Sequence, residues 1–176
     1  MTIVQLESWE YERALAVGAA RYTARWGSKD AVHYSDKSRQ EDNRTALAAA
    51  AVCELAVAKL TNRYWHGHVW HWTEHHLYKH LPDVGENIEV RRLRTGNGVA
   101  LREHQNSIKD LVVFGARAIE PEFRSVEVLG YIEQSKGWEI GTQAKYDPSG
   151  KTRLVNVADL KQPKVSSLIA TAVLLG

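Results

Sequence analysis

Leu81-Pro82-Asp83-Val84-Gly85-Glu86-Asn87-Ile88-Glu89-Val90-Arg91 is the stretch on which the reading of this chain turns. Pro-Asp-x-Gly is turn chemistry, in which each residue type favours the bend for its own steric or hydrogen-bonding reason. After the turn, Ile88 and Val90 alternate with Glu89 and Arg91. That period of two predicts a short strand with Glu89 and Arg91 on one face. Asp83 and Glu89 would then bring two carboxylates beside a cation. Hard oxygen ligands of this kind suit Mg²⁺, and a neighbouring cation offsets charge building on a phosphorus centre.

Toward the C-terminus the pattern remains that of strands. Thr95-Gly96-Asn97-Gly98 reads as a hairpin-like turn, followed by a short strand over Val99–Arg102. Asp110–Ala116 is apolar enough to be central in a sheet. Val126–Ile132 is a further strand, after a Glu120-Pro121-Glu122-Phe123 turn. The tail from Trp138 offers a helix or turn, a short strand near Leu154–Val157 and a last apolar run.

Toward the N-terminus the pattern is helical. Tyr11, Leu15, Ala19, Tyr22 and Trp26 recur at spacings of three and four and predict a helix over 6–26. Ser38-x-x-Glu41 is a capping-box pattern. The Ala-rich stretch 42–60 is apolar on nearly every side, as in a buried helix, and Asn62 suits its C-terminal cap. Glu54 is the exception within it. A carboxylate in a core helix must be paired, protonated or bound to a metal. Two helices followed by strands predict an α+β or three-layer α/β/α domain. One domain is expected over 1–176, with a sheet core at about 83–132 and a C-terminal extension over 138–176.

Composition narrows the function. At 176 residues, 44% hydrophobic and 25% charged, the chain reads as ordinary globular material. A net charge of +2 does not announce nucleic-acid binding, so phosphate contacts would have to come from Lys59, Arg63, Arg92, Arg94 and Arg102. Single Cys53 excludes an internal disulfide framework. No Gly-rich phosphate loop occurs, which argues against ATP- or NAD-dependent chemistry. No secretory signal or spanning run is evident, and an intracellular location is expected.

The motif resembles that of the PD-(D/E)xK superfamily of restriction-like nucleases. Pro82-Asp83 stands as its "PD", Glu89-Val90-Arg91 stands where Glu-x-Lys would, and Glu54 matches the helical Glu that many members carry. The stretch from about Val52 to Ile132 also resembles small uncharacterised proteins of actinobacterial phages. The resemblance implies a restriction-endonuclease-like mixed sheet flanked by helices, working in a bacterial host cytoplasm. It implies a Mg²⁺- or Mn²⁺-dependent deoxyribonuclease. Asp83, Glu89, Glu54 and the Val90 carbonyl would hold the metal, with Glu54, Asp83, Glu89 and Arg91 catalytic and DNA as partner. Arg91 departs from the family's Lys. It keeps the charge and can clamp a phosphate, but it cannot give up its proton. A nuclease-fold module that has lost catalysis and binds DNA or a host protein is therefore the alternative.

Residues 63–80 hold three Trp and six of the eight His. They are expected as loop with short extended or helical pieces. Tyr64, Trp65, Trp70, Trp72 and Tyr78 could stack on bases or form a core or a protein interface, and a homodimer stays open. His71-Trp-Thr-Glu-His75 formally matches the inverted zinc-protease motif. A later helix with a third ligand is not expected, so zinc binding is the weaker alternative.

Overall fold

The computed structural model describes residues 2–25 and 43–163. Trp26, the Ser38–Glu41 capping pattern and the last apolar run lie outside the described residues. In chain order the elements are β1 (Thr2–Gln5), α1 (Ser8–Ala24), α2 (Asn43–Thr61), α3 (His75–Tyr78), β2 (Ile88–Arg92), β3 (Gly98–Arg102), β4 (Val112–Ala118), β5 (Ser125–Glu133), α4 (Gln134–Ile140), β6 (Thr142–Gln143) and β7 (Thr152–Asn156). Short 3₁₀ turns occur at Trp72–Glu74 and Glu103–Ser107.

A four-stranded mixed sheet in the order β1-β5-β4-β2 forms the centre. Among the described strands only β2 and β4 pair in parallel, with Ile88 opposite Val112 and Arg92 opposite Ala116. The apolar run of β4 is central, as expected, between β5 and β2. One face of this sheet presents Val4, Ile88, Val90, Phe114, Ala116, Val126 and Val128 to the helices. Its other face presents Val113, Leu129 and Ile132 to Val99, Leu101 and Val155 of a second sheet, ordered β3-β7-β6. The molecule is mixed α+β. The helical layer expected on both faces is present on one; the opposite face is covered by the small sheet and the short α4.

The predicted hairpin between the strands at 88–92 and 99–102 does not form. β3 pairs with β7 instead. The inner edge of β2 is occupied by β4, and because that pair is parallel the chain must cross over before returning. The crossover runs through β3 and the 3₁₀ turn Glu103–Ser107. Strand β1 was not anticipated; it pairs antiparallel with β5.

Helix α2 is buried as its composition predicts, from Ala49 through Leu60 with few interruptions. Asn62 takes a left-handed φ of 51° and closes it, with the Arg63 N–H returning to the Ala58 carbonyl at 3.0 Å. Helix α1 lies slightly rotated from the predicted stripe: Glu10, Ala14 and Gly18 are buried, while Tyr11 and Leu15 flank them. The reason is close approach. A Cβ on Gly18 would lie 2.5 Å from Ala48 Cα, so small residues set this helix crossing.

The Trp/His-rich segment leaves and rejoins the fold at one place. Trp65 bridges Val84, and the Gly85 N–H reaches the Tyr64 carbonyl at 2.8 Å. Residues 66–83 therefore form a pinned excursion beside the outer edge of β2.

Candidate functional site

Strand β2 positions the site through its hydrogen-bond parity. Toward β4, the Asn87 carbonyl accepts from Val112 and the Leu93 N–H donates to Ala116. The intervening Ile88 and Val90 N–H groups point outward. Ile88 donates to the Val84 carbonyl at 3.1 Å, and Val90 donates to Asp83 Oδ2 at 2.9 Å. Asp83 thus caps the free edge of the sheet, and the Val90 carbonyl leaves the strand on the same side.

Glu54 comes from α2, on the helical face. It is 5% exposed and fully engaged. Arg21 of α1 grips it with two bonds, Nη1 to Oε1 at 2.6 Å and Nη2 to Oε2 at 2.8 Å. The Trp65 indole N–H adds a third, to Oε2 at 3.0 Å. Arg21 is itself anchored, its Nε donating to the His68 carbonyl at 2.8 Å. The carboxylate that the sequence marks as needing a partner has a bidentate one.

Glu89 and Arg91 share a face, as the alternation predicts, and point toward the small sheet. They pair at 2.6 Å. Arg91 also donates from Nε to the Ala100 carbonyl at 3.0 Å and from Nη2 to Gln105 Oε1 at 2.6 Å. Gln105 is buried.

The electrostatics tie the three acids together. Enclosure by protein, then the charges of Glu54 and Glu89, push the Asp83 carboxyl well above the usual carboxylate range, against the Val90 N–H and Arg91. Burial works against the Arg21 charge, but the carboxylates of Glu54, Asp83 and Glu89 outweigh it and hold the guanidinium above its ordinary pKa. Burial also pushes the Cys53 thiol up to about 12, leaving no thiolate nucleophile near neutral pH.

A divalent ion needs several oxygens turned to one point. Here Glu54 and Glu89 approach β2 from opposite faces, with Asp83 at the edge between them. Both Glu54 oxygens are bonded, and Glu89 is paired. Among the described residues no three His, Cys, Asp or Glu side chains are placed to hold a metal. As arranged, the residues do not fit Mg²⁺ or Mn²⁺.

The five basic residues expected to meet phosphate do not form one surface. Lys59 bonds Glu10 at 2.7 Å and the Gln5 carbonyl at 3.1 Å, beside β1. Arg102 donates to Thr152 Oγ1 at 2.6 Å. Arg92 turns toward α2, where its charge acts on Cys53. Arg63 packs over Gly85, at the root of the excursion. Arg94 follows β2, half-buried.

The zinc motif also dissolves. His71 precedes the 3₁₀ turn and bonds Thr73 Oγ1 at 2.8 Å, while His75 opens α3 and accepts the Trp70 indole N–H at 3.3 Å. They do not share one helical face. What the segment builds is a ladder of rings. Tyr64 meets His66 edge-on at 5.3 Å, His66 stacks on His68 at 4.8 Å, His68 meets Trp70 at 5.6 Å, and Trp70 meets Tyr78 at 5.9 Å. The rings at 64, 66, 68 and 70 come from alternate residues, and Gly67, between the two stacked imidazoles, takes a left-handed φ of 57°. Tyr64, Trp72 and Tyr78 are exposed, with Tyr64 at 67%. His68 carries a buried Nε2 with no hydrogen-bond partner.

Sequence reasoning missed Arg21, Gln105 and the role of Trp65. Arg21 follows Ala14 and Gly18 at helical spacing. A cation continuing a stripe of small residues was the available signal.

No helix among the described residues is long and apolar enough to cross a membrane. Comparisons with known protein families, with curated proteins and with solved structures returned no match.

Proposed function

We propose that this chain is a restriction-endonuclease-like domain that has lost catalysis and binds single-stranded DNA. The observation that carries the reading is internal neutralisation: each carboxylate of the motif is compensated from within the chain. Glu54 has Arg21 and Trp65, Glu89 has Arg91, and Asp83 is held toward its neutral form. Nuclease descent is supported by the meeting of a helical Glu, a Pro-Asp turn and a Glu-x-Arg strand at one sheet edge. Single-stranded DNA is supported by the ring ladder beside that edge. Exposed aromatic rings stack on bases of any sequence, and Arg63 and Lys79 lie on the segment with Glu74 as its one exposed acid.

The test is fluorescence anisotropy with labelled single-stranded and duplex DNA, run with a cleavage assay in Mg²⁺ and Mn²⁺. Single strands should bind with a clear salt dependence, duplex more weakly, and neither should be cut. Trp72→Ala and Tyr64→Ala should each weaken binding by about 1–3 kcal/mol, on the order of five- to 150-fold. Absence of binding to single strands would remove this function.

An active metal-dependent nuclease is the second reading. The crowding of Asp83 by Glu54 and Glu89 favours it, because a cation would relieve that repulsion. Cleavage abolished by Asp83→Ala would select it. It requires both arginines to leave their carboxylates.

A further inference from the structure

We infer that Lys79, His80, Arg102 and His104 form a receptor for a phosphate monoester, the terminal phosphate of a strand stacked on the ring ladder. The inference rests on the reading of the ladder as a single-strand platform and names the end group held beside it. The last rings of the ladder, Trp70 and Tyr78, lie 5.9 Å apart, and Lys79 and His80 follow Tyr78 directly. There the excursion meets the 3₁₀ turn after β3, with the His80 and His104 rings edge-on at 5.7 Å. Both sides are anchored. The Leu81 N–H donates to the Tyr78 carbonyl at 2.9 Å and closes the turn that carries His80. His104 lies between Glu103, whose N–H reaches the Lys151 carbonyl at 2.9 Å, and the buried Gln105. His80 and His104 are exposed, while Lys79 and Arg102 are half-buried. Partial burial, then the positive charges of Lys79, His80, Arg91 and Arg102, hold the His104 imidazole below its ordinary pKa. Arg91 is engaged by Glu89 and Gln105. Arg102 donates to Thr152 Oγ1, and its charge also acts on Asp147. Among the described residues no carboxylate forms an ion pair with Lys79, His80 or His104, although Glu103 is exposed beside His104 in the chain. Gathered cations without a counter-charge favour an anion brought among them. A monoester phosphate, with a second pKa of about 6, carries nearly two charges near neutral pH, more than the single charge of a diester within a strand. Its oxygens accept from imidazole and ammonium N–H donors, which are strongest when charged. Its arrival reverses the field on His104 and favours the protonated ring.

The experiment has two arms, both on the whole chain. In the first, inorganic phosphate is added while the His80 and His104 ring protons are followed by NMR against pH, with sodium chloride at matched ionic strength as the control. Phosphate should raise the titration midpoints of both rings, and chloride should not. In the second, fluorescence anisotropy compares one internally labelled single strand carrying a 5′-phosphate, a 3′-phosphate or hydroxyl groups at both ends. One phosphorylated end should bind about tenfold more tightly, the effect of roughly one charge-assisted hydrogen bond. In the double variant His80→Gln with His104→Gln that advantage should disappear. Midpoints that phosphate moves no more than chloride does overturn the inference. So do strands that bind with no advantage for either phosphorylated end, or an advantage that the double variant keeps. The parent reading fails on a different result: midpoints raised by phosphate in a protein that binds no strand would refute the single-strand platform and support the phosphate receptor.

Discussion

Breaking the Arg21–Glu54 pair from the acid side gives the sharpest stability test. The perturbation is Glu54→Leu, compared with Arg21→Met and with the double variant. Glu54 and Arg21 side chains are 7% and 15% exposed, so neither partner can recover bulk hydration in place. Removing one partner of a buried ion pair costs about 3–5 kcal/mol, because the other charge stays behind unpaired. The Trp65 indole N–H also loses its acceptor, a further cost of about 1–3 kcal/mol if no water replaces it. Arg21 can slide partway toward solvent, so a total near the lower bound, about 4 kcal/mol, is expected. For a chain of this size that lowers the melting temperature by roughly 8–16 °C. Replacing both partners by apolar groups of similar volume is often neutral. The double variant should therefore recover most of the loss and be far less destabilised than the sum of the singles. The assay is urea denaturation followed by circular dichroism, with thermal melts beside it. A Glu54→Leu protein within about 1 kcal/mol of wild type, or a double variant as unstable as the sum of the singles, would refute the reasoning.

Two further outcomes are expected. Asp83 has a folded pKa raised above its unfolded value, so the stability it contributes is fully present below the unfolded pKa of about 4 and is lost as pH rises through the folded value. Asp83→Asn keeps an oxygen for the Val90 N–H and should flatten that decline, measured as unfolding free energy against pH; an unchanged slope would count against a protonated Asp83. Gly18→Ala adds a methyl where Ala48 Cα lies 2.5 Å away, and forcing the helices apart should cost roughly 1–3 kcal/mol in a denaturant titration; a neutral or stabilising result would show that α1 and α2 can separate at no cost.

The parts of this molecule governed by neighbours along the chain are legible in its residues. The buried helix over 43–61, its Asn62 cap, the central placement of β4, and the shared face of Glu89 and Arg91 follow from periodicity and local residue chemistry. Glu54 is likewise marked as a carboxylate needing a partner. Which partner it meets is set by packing. Arg21 lies 33 positions from Glu54 and Gln105 lies 14 from Arg91, and no local pattern announces such pairs. The parallel pairing of β2 with β4 likewise sent β3 into a second sheet and removed the hairpin that the turn chemistry at 95–98 suggested. Local sequence sets which groups a segment offers. Whether three carboxylates close on a metal or are met by arginines depends on which faces of β2 they reach, and on a helix crossing set by Gly18 against Ala48. That is a property of packed surfaces, in which distant residues compete for the same oxygens.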